Sequence, residues 1–198
     1  MSDILISPHF KDPVHDAQVA FRKLLDALSR PGRPVMLDGP ASPPAPMRSA
    51  LAAVALTLVD ADSQIWLDSA LDREHVHRYL HVHTNAPRTT DPAVATMALV
   101  ADPMNMPPLT AFCAGLAAYP DRSSTVIIQV PALTGGPSVN LRGPGIEKQA
   151  CIAPSGLPDW FWPAWAQNTA RYPLGVDAFL VDERSVVGLP RTSKVDIG

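Results

Sequence analysis

Six consecutive residues, Thr125-Val126-Ile127-Ile128-Gln129-Val130, constrain this chain more than any other stretch. The run is β-branched and nearly all apolar, so it suits a pleated surface and cannot leave one face in water. It predicts a strand in the middle of a sheet, covered on both sides. Helices that could cover it are legible elsewhere. Asp12-Pro13 offers an N-cap followed by proline at the first helical position, and Val14, Ala17, Phe21, Leu24, Leu25 and Leu28 then recur on one face until Ser29-Arg30-Pro31-Gly32. Arg48 to Asp60 is almost without polar interruption, as a helix buried on most sides would be. Pro107 to Leu116 predicts a short helix, and Asp159 to Arg171 one with an aromatic face of Trp160, Phe161, Trp162 and Trp165. Further strands are expected at Pro34–Leu37, Gln64–Leu67, Met97–Val100 and, after a Gly135-Gly136 turn, Ser138–Arg142. Val176–Val181 and Val186–Leu189 read as a hairpin. Helices alternate with strands early and strands gather late, which predicts an α/β fold with a mixed sheet flanked by helices.

A length of 198 residues suits one domain, residues 1–198, with no boundary that would split it. The 22 prolines are about twice average usage. They punctuate short elements, apart from an extended surface loop at Gly39–Pro46. Net charge is -3 and the basic residues are scattered, which argues against nucleic acid as a partner. No window approaches the roughly 18 apolar residues needed to span a bilayer, and Asp3, Lys11, Asp12 and Asp16 interrupt the place of a signal peptide core. A soluble, cytoplasmic protein is expected. Charged residues are only 18%, against about 25% in soluble domains, which suggests that part of the surface meets a partner. Cys113 and Cys151 form no CxxC pair and read as reduced, small apolar side chains.

Four of the six histidines crowd into Glu74-His-Val-His-Arg-Tyr-Leu-His-Val-His-Thr-Asn-Ala-Pro87, which invites a metal reading. Helical register argues against it. His75 and His77 point to nearly opposite sides, while His77 and His81 share a face with Arg73, whose charge opposes a cation. Glu74 and Arg78, four apart, mark a solvated face. Val76, Tyr79 and Leu80 define the apolar stripe, and its next position is His83, which is thereby aimed at the core or a cleft. Asp72 is positioned to cap the helix.

Phosphate-loop, dinucleotide, nucleophile-elbow and zincin signatures are all lacking. None of Lys11, Lys23, Lys148 and Lys194 lies in an apolar context that would prepare it for a Schiff base. Two turns carry arginines. Arg142-Gly143-Pro144-Gly145 either presents backbone N–H groups to an anion or is a tight turn that needs positive φ. Arg191-Thr192-Ser193 either binds phosphate or ends a strand.

Five stretches taken in order resemble the PhnH family, the H subunit of the bacterial carbon–phosphorus lyase core complex. They are Asp16–Gln18 with Phe21–Gly32, His83–Pro87, Arg142–Ile146, Tyr172–Asp177 and Leu189–Thr192, and they span about residues 12–195, leaving 1–11 as an N-terminal extension. The resemblance implies a role in phosphonate catabolism, required with PhnG, PhnI and PhnL to join a phosphonate to the ribose C1 of ATP with loss of adenine, ahead of C–P cleavage by PhnJ. It implies a fold similar to the large domain of pyridoxal-phosphate-dependent transferases without that cofactor, and homodimers that join the other lyase subunits. His75, His77 and His81, the proline loop and the tryptophan-rich helix fall outside the pattern. No catalytic residue and no metal ligand is implied; His83, Thr84, Arg142, Gly143, Gly145, Arg191 and Thr192 are candidates for contact with a ligand or partner.

Overall fold

A computed structural model describes residues 9–196; residues 1–8 of the expected N-terminal extension lie outside the described part. Among the described residues, nine strands form two sheets. The larger runs β1 (Val35–Met36), β8 (Ser185–Leu189), β7 (Asp177–Val181), β4 (Thr125–Gln129), β3 (Met97–Val100), β2 (Ile65–Leu67), with β2, β3, β4 and β7 parallel and β8 antiparallel to both of its neighbours. The β-branched run is thus an interior strand of a mixed sheet, and the expected α/β class holds.

Alternation of side chains divides the core in two. Leu99, Ile127, Phe179 and Val181 face the helices α1 (Pro13–Ser29), α2 (Ser49–Leu58) and α3 (Glu74–Thr84). Ala98, Val100, Val126, Ile128, Ala178 and Leu180 face the opposite layer. That layer consists of α4 (Phe161–Ala170) and a small antiparallel sheet, β6 (Ala150–Pro154), β5 (Gly135–Arg142) and β9 (Lys194–Asp196). Phe161, Trp162 and Trp165 are buried there, and Trp165 Nε1 donates to the Ser193 carbonyl at 2.9 Å, tying α4 to the approach of β9.

The structure corrects several sequence expectations. α1 begins as predicted, with Asp12 Oδ1 accepting from the His15 N–H at 3.1 Å, but the face it buries is Ala20, Leu24 and Ala27, while Val14, Phe21 and Leu25 are exposed at 83%, 44% and 51%. The cause is close approach: a Cβ at Gly188 of β8 would lie 2.4 Å from the Ala27 carbonyl oxygen, so α1 lies against the sheet with Ala20 and Ala27 inward beside Leu24. Pro107–Leu116 holds only a single 3-10 turn, Leu109–Ala111, because Pro108 disfavours the helical region for Pro107 and the backbone is extended at both Pro108 and Phe112, on either side of the turn. Glycines 135 and 136 belong to β5 rather than to a turn before it. β6 and β9 were not foreseen, being short and weakly patterned. Asp72 does not cap α3, whose N-cap is Arg73 with no side-chain bond.

Candidate functional site

His83, Thr84, Asn85, Ala86 and Pro87 form the end of α3. Thr84 Oγ1 donates to the Leu80 carbonyl at 2.7 Å and accepts from the Ala86 N–H, and Asn85 takes the left-handed conformation, φ 55°, that closes the helix. The Pro87 carbonyl then accepts from the N–H of Ile65 and docks the segment on β2. His83 is half-buried, as its place on the stripe predicts. Its ring packs edge-on against Tyr79 at 4.7 Å and His9 at 4.9 Å between centroids. Burial, and next the charge of His83, lower the pKa of His9; burial also pushes up the Tyr79 hydroxyl.

The two arginine turns meet on the other side of the main sheet. β5 pairs with β9, Arg142 standing opposite Lys194, and a Cβ on Gly143 would lie 2.6 Å from the Thr192 carbonyl oxygen. Gly145, φ 81°, is pressed against the end of α1, where a Cβ would lie 2.0 Å from the Ser29 carbonyl oxygen. Glycine is required at both positions for backbone shape and proximity. Arg142 reaches out to Asp196 at 3.0 Å, with more than half of each side chain exposed. Arg191 is largely enclosed and fully engaged. It donates through Nε and Nη2 to the Asp177 carboxylate, through Nη2 to Ser123 Oγ, and through Nη1 to the carbonyls of Pro120 and Pro173. It thereby joins β7, the approach to β4 and the loop before β7. His83 sits with the helical layer, so the three candidate stretches make one neighbourhood of Arg142, Gly143, Gly145, Arg191 and Thr192, and a separate one around His83 and Thr84.

Two polar constellations carry no signal in local spacing. Asp68, at the end of β2 and 3% exposed, accepts from the N–H groups of Leu71 at 2.9 Å, Ala101 at 2.8 Å and Asp102 at 2.7 Å. Burial raises its pKa against the pull of those bonds. Gln129 accepts from the Arg48 N–H and donates to the Pro46 carbonyl, and Arg48 Nη1 donates to the Val130 and Pro131 carbonyls, fixing the proline loop to the sheet. Only the folded chain brings such partners together. Among the described residues no three His, Cys, Asp or Glu side chains converge as a metal site, and no helix is long and apolar enough to cross a membrane.

Comparison with known proteins places this architecture. The family model "Bacterial phosphonate metabolism protein (PhnH)" matches residues 8–196. This chain belongs to the PhnH family. The match is wider than the 12–195 expected from short motifs, and it takes in His9 and Phe10. A Rhizobium meliloti protein, the alpha-D-ribose 1-methylphosphonate 5-triphosphate synthase subunit PhnH, is 41% identical over 192 residues, 97% of this chain and 96% of that one. A Stutzerimonas stutzeri protein, HtxG, named as a candidate C-P lyase subunit, is 32% identical over 181 residues, 91% of this chain and 86% of its own length.

Proposed function

We propose that this PhnH-family chain is a non-autonomous subunit of the carbon–phosphorus lyase core complex. With PhnG, PhnI and PhnL it serves the step that joins an alkylphosphonate to the ribose C1 of ATP and releases adenine, before PhnJ cleaves the C–P bond. The observation that carries this reading is near full-length kinship with a named synthase subunit. The polar groups are compatible with it: Arg191 and Asp68 are consumed by contacts within the fold, and among the described residues no three His, Cys, Asp or Glu side chains converge as a metal site. In this reading the fold is similar to the large domain of pyridoxal-phosphate-dependent transferases but works without the cofactor. Lys11, Lys148 and Lys194 are exposed and Lys23 pairs with Asp38 at 3.2 Å, so none is desolvated for Schiff-base chemistry. The protein acts in the cytoplasm and forms homodimers when alone. The test is direct: the purified chain mixed with ATP and methylphosphonate releases no adenine, and release begins when PhnG, PhnI and PhnL are added. Adenine release by the chain alone at the rate of the assembled mixture would overturn the proposal.

A second reading, a docking module that touches no substrate, is favoured by one observation, the exposed stripe of Val14, Phe21 and Leu25 along α1. Its partner-facing candidates would include the exposed Arg142 turn and Thr192. Full turnover by a complex assembled without this chain would favour docking over a direct part in the site.

A further inference from the structure

Between the last turns of α3 and the edge strand β2 lies an open cleft of about 580 Å³ that no part of the proposed role uses. One wall is basic. His77 and His81, one turn apart on α3, and Arg88, on the segment that bridges to Ile65, all line it. The Arg88 guanidinium lies against the His77 ring, and Asp72 Oδ1 stands 2.7 Å from His77 Nε2 and 3.4 Å from Arg88 Nη1. The lining also includes apolar surface from Ala61, Ala86 and Pro87.

The charges around the cleft do not cancel these groups. Asp72 is one carboxylate, shared between His77 and Arg88. Asp60, beside Ala61, is occupied in its own turn by the Ser63 hydroxyl and the Asp62 N–H, and Glu74 is turned to Arg78 at 3.5 Å. At the end of α3 two carbonyls already accept, Leu80 from Thr84 Oγ1 and His81 from the Asn85 N–H. His81 is exposed and the His77 side chain 26% exposed, so the donors are open to a ligand. Guanidinium and imidazole donors gathered at one place suit a compact oxyanion with several acceptor oxygens. The volume exceeds what a bare ion would fill, and the apolar surface has something to gain only from a ligand with an organic body.

We infer that this cleft binds an organic phosphate or phosphonate, its oxyanion held by His77, His81 and Arg88 and its organic part lying against Ala61, Ala86 and Pro87. His77 and His81 lie outside the short stretches that resemble the family, and the site stands or falls separately from the role in the complex.

Titration of the full chain with phenylphosphonate, followed by calorimetry and by the imidazole proton resonances, tests it. Saturable one-to-one binding that shifts the His77 and His81 resonances is expected, with inorganic phosphate and phenylacetate each binding more weakly. Phenyl phosphate run in parallel shows whether an ester or a phosphonate fits better. His81→Ala and Arg88→Ala should each weaken binding about tenfold or more, while Arg78→Ala, on the Glu74 side of the helix, leaves it unchanged. Absence of saturable shifts at these two histidines would overturn the inference. So would equal affinity for phenylacetate, undiminished binding by Arg88→Ala, or an equal loss from Arg78→Ala, which would reduce the effect to net charge. A thermal melt of each variant separates lost binding from lost folding.

Discussion

At the scale of single residues, Asp68 shows what burial does to a carboxylate. Its two oxygens satisfy three backbone N–H groups, a task that one amide oxygen cannot perform. Asp68→Asn turns an NH2 group toward at least one of those donors, and chemical denaturation should show a loss of about 1–3 kcal/mol. The pH dependence follows from the raised pKa: the folded carboxyl keeps its proton to higher pH than the unfolded one, so this group's contribution to stability falls as pH rises between the two values. Asp68→Asn should flatten that part of the stability profile. His9 is a base with a lowered pKa, the folded form releasing its proton more readily than the unfolded value of 6.5. The unfolded chain therefore binds more protons across that window, and stability falls as pH drops from 6.5 toward the folded value. His9→Leu should remove that loss, which melting temperatures at pH 7.5 and 5.5 would reveal. If the variant is as sensitive to acid as the parent, His9 is not the titrating group.

At the scale of elements, α1 separates periodicity from packing. Its apolar residues recur at helical spacing on two faces, one of Ala20, Leu24 and Ala27 and one of Val14, Phe21 and Leu25, and the close approach to the sheet at Gly188 selects the face that carries the alanines. Leu24→Ala should cost about 2–5 kcal/mol, whereas Phe21→Ser on the outer face should change stability by less than about 0.5 kcal/mol. Equal costs in urea unfolding would mean that both faces are covered in solution. α3 was legible in more detail. Val76, Tyr79 and Leu80 are buried, Glu74 and Arg78 pair in solvent, and His83 turns inward. Its start was misread, because Asp72 finds His77 and Arg88 as partners in place of the helix N–H groups.

At the scale of the whole molecule, the main sheet is a partition, with helices on one side and a small antiparallel sheet with α4 on the other. The exposed Phe21 and Leu25 belong to α1, on the helical side. If α1 is the face that meets the other lyase subunits, Phe21→Asp with Leu25→Asp should leave the isolated chain folded yet lower adenine release by the reconstituted complex at least tenfold. An unchanged rate would assign assembly to another surface.

By itself the sequence determined the class of fold, the interior strand at 125–129, the capped start of α1, the closing hairpin, the inward turn of His83 and, through motifs in order, the family. These rest on local periodicity, caps and turns, where the residues that decide are neighbours along the chain. Tertiary structure alone decided which face of α1 is buried, that β5, β6 and β9 form a second sheet, that Arg191 is consumed by Asp177, Ser123 and two carbonyls, and that Arg88 comes to lie on His77. Each of these depends on residues many positions apart meeting at a distance set by backbone packing, and hydrophobic pattern carries no information about such distances.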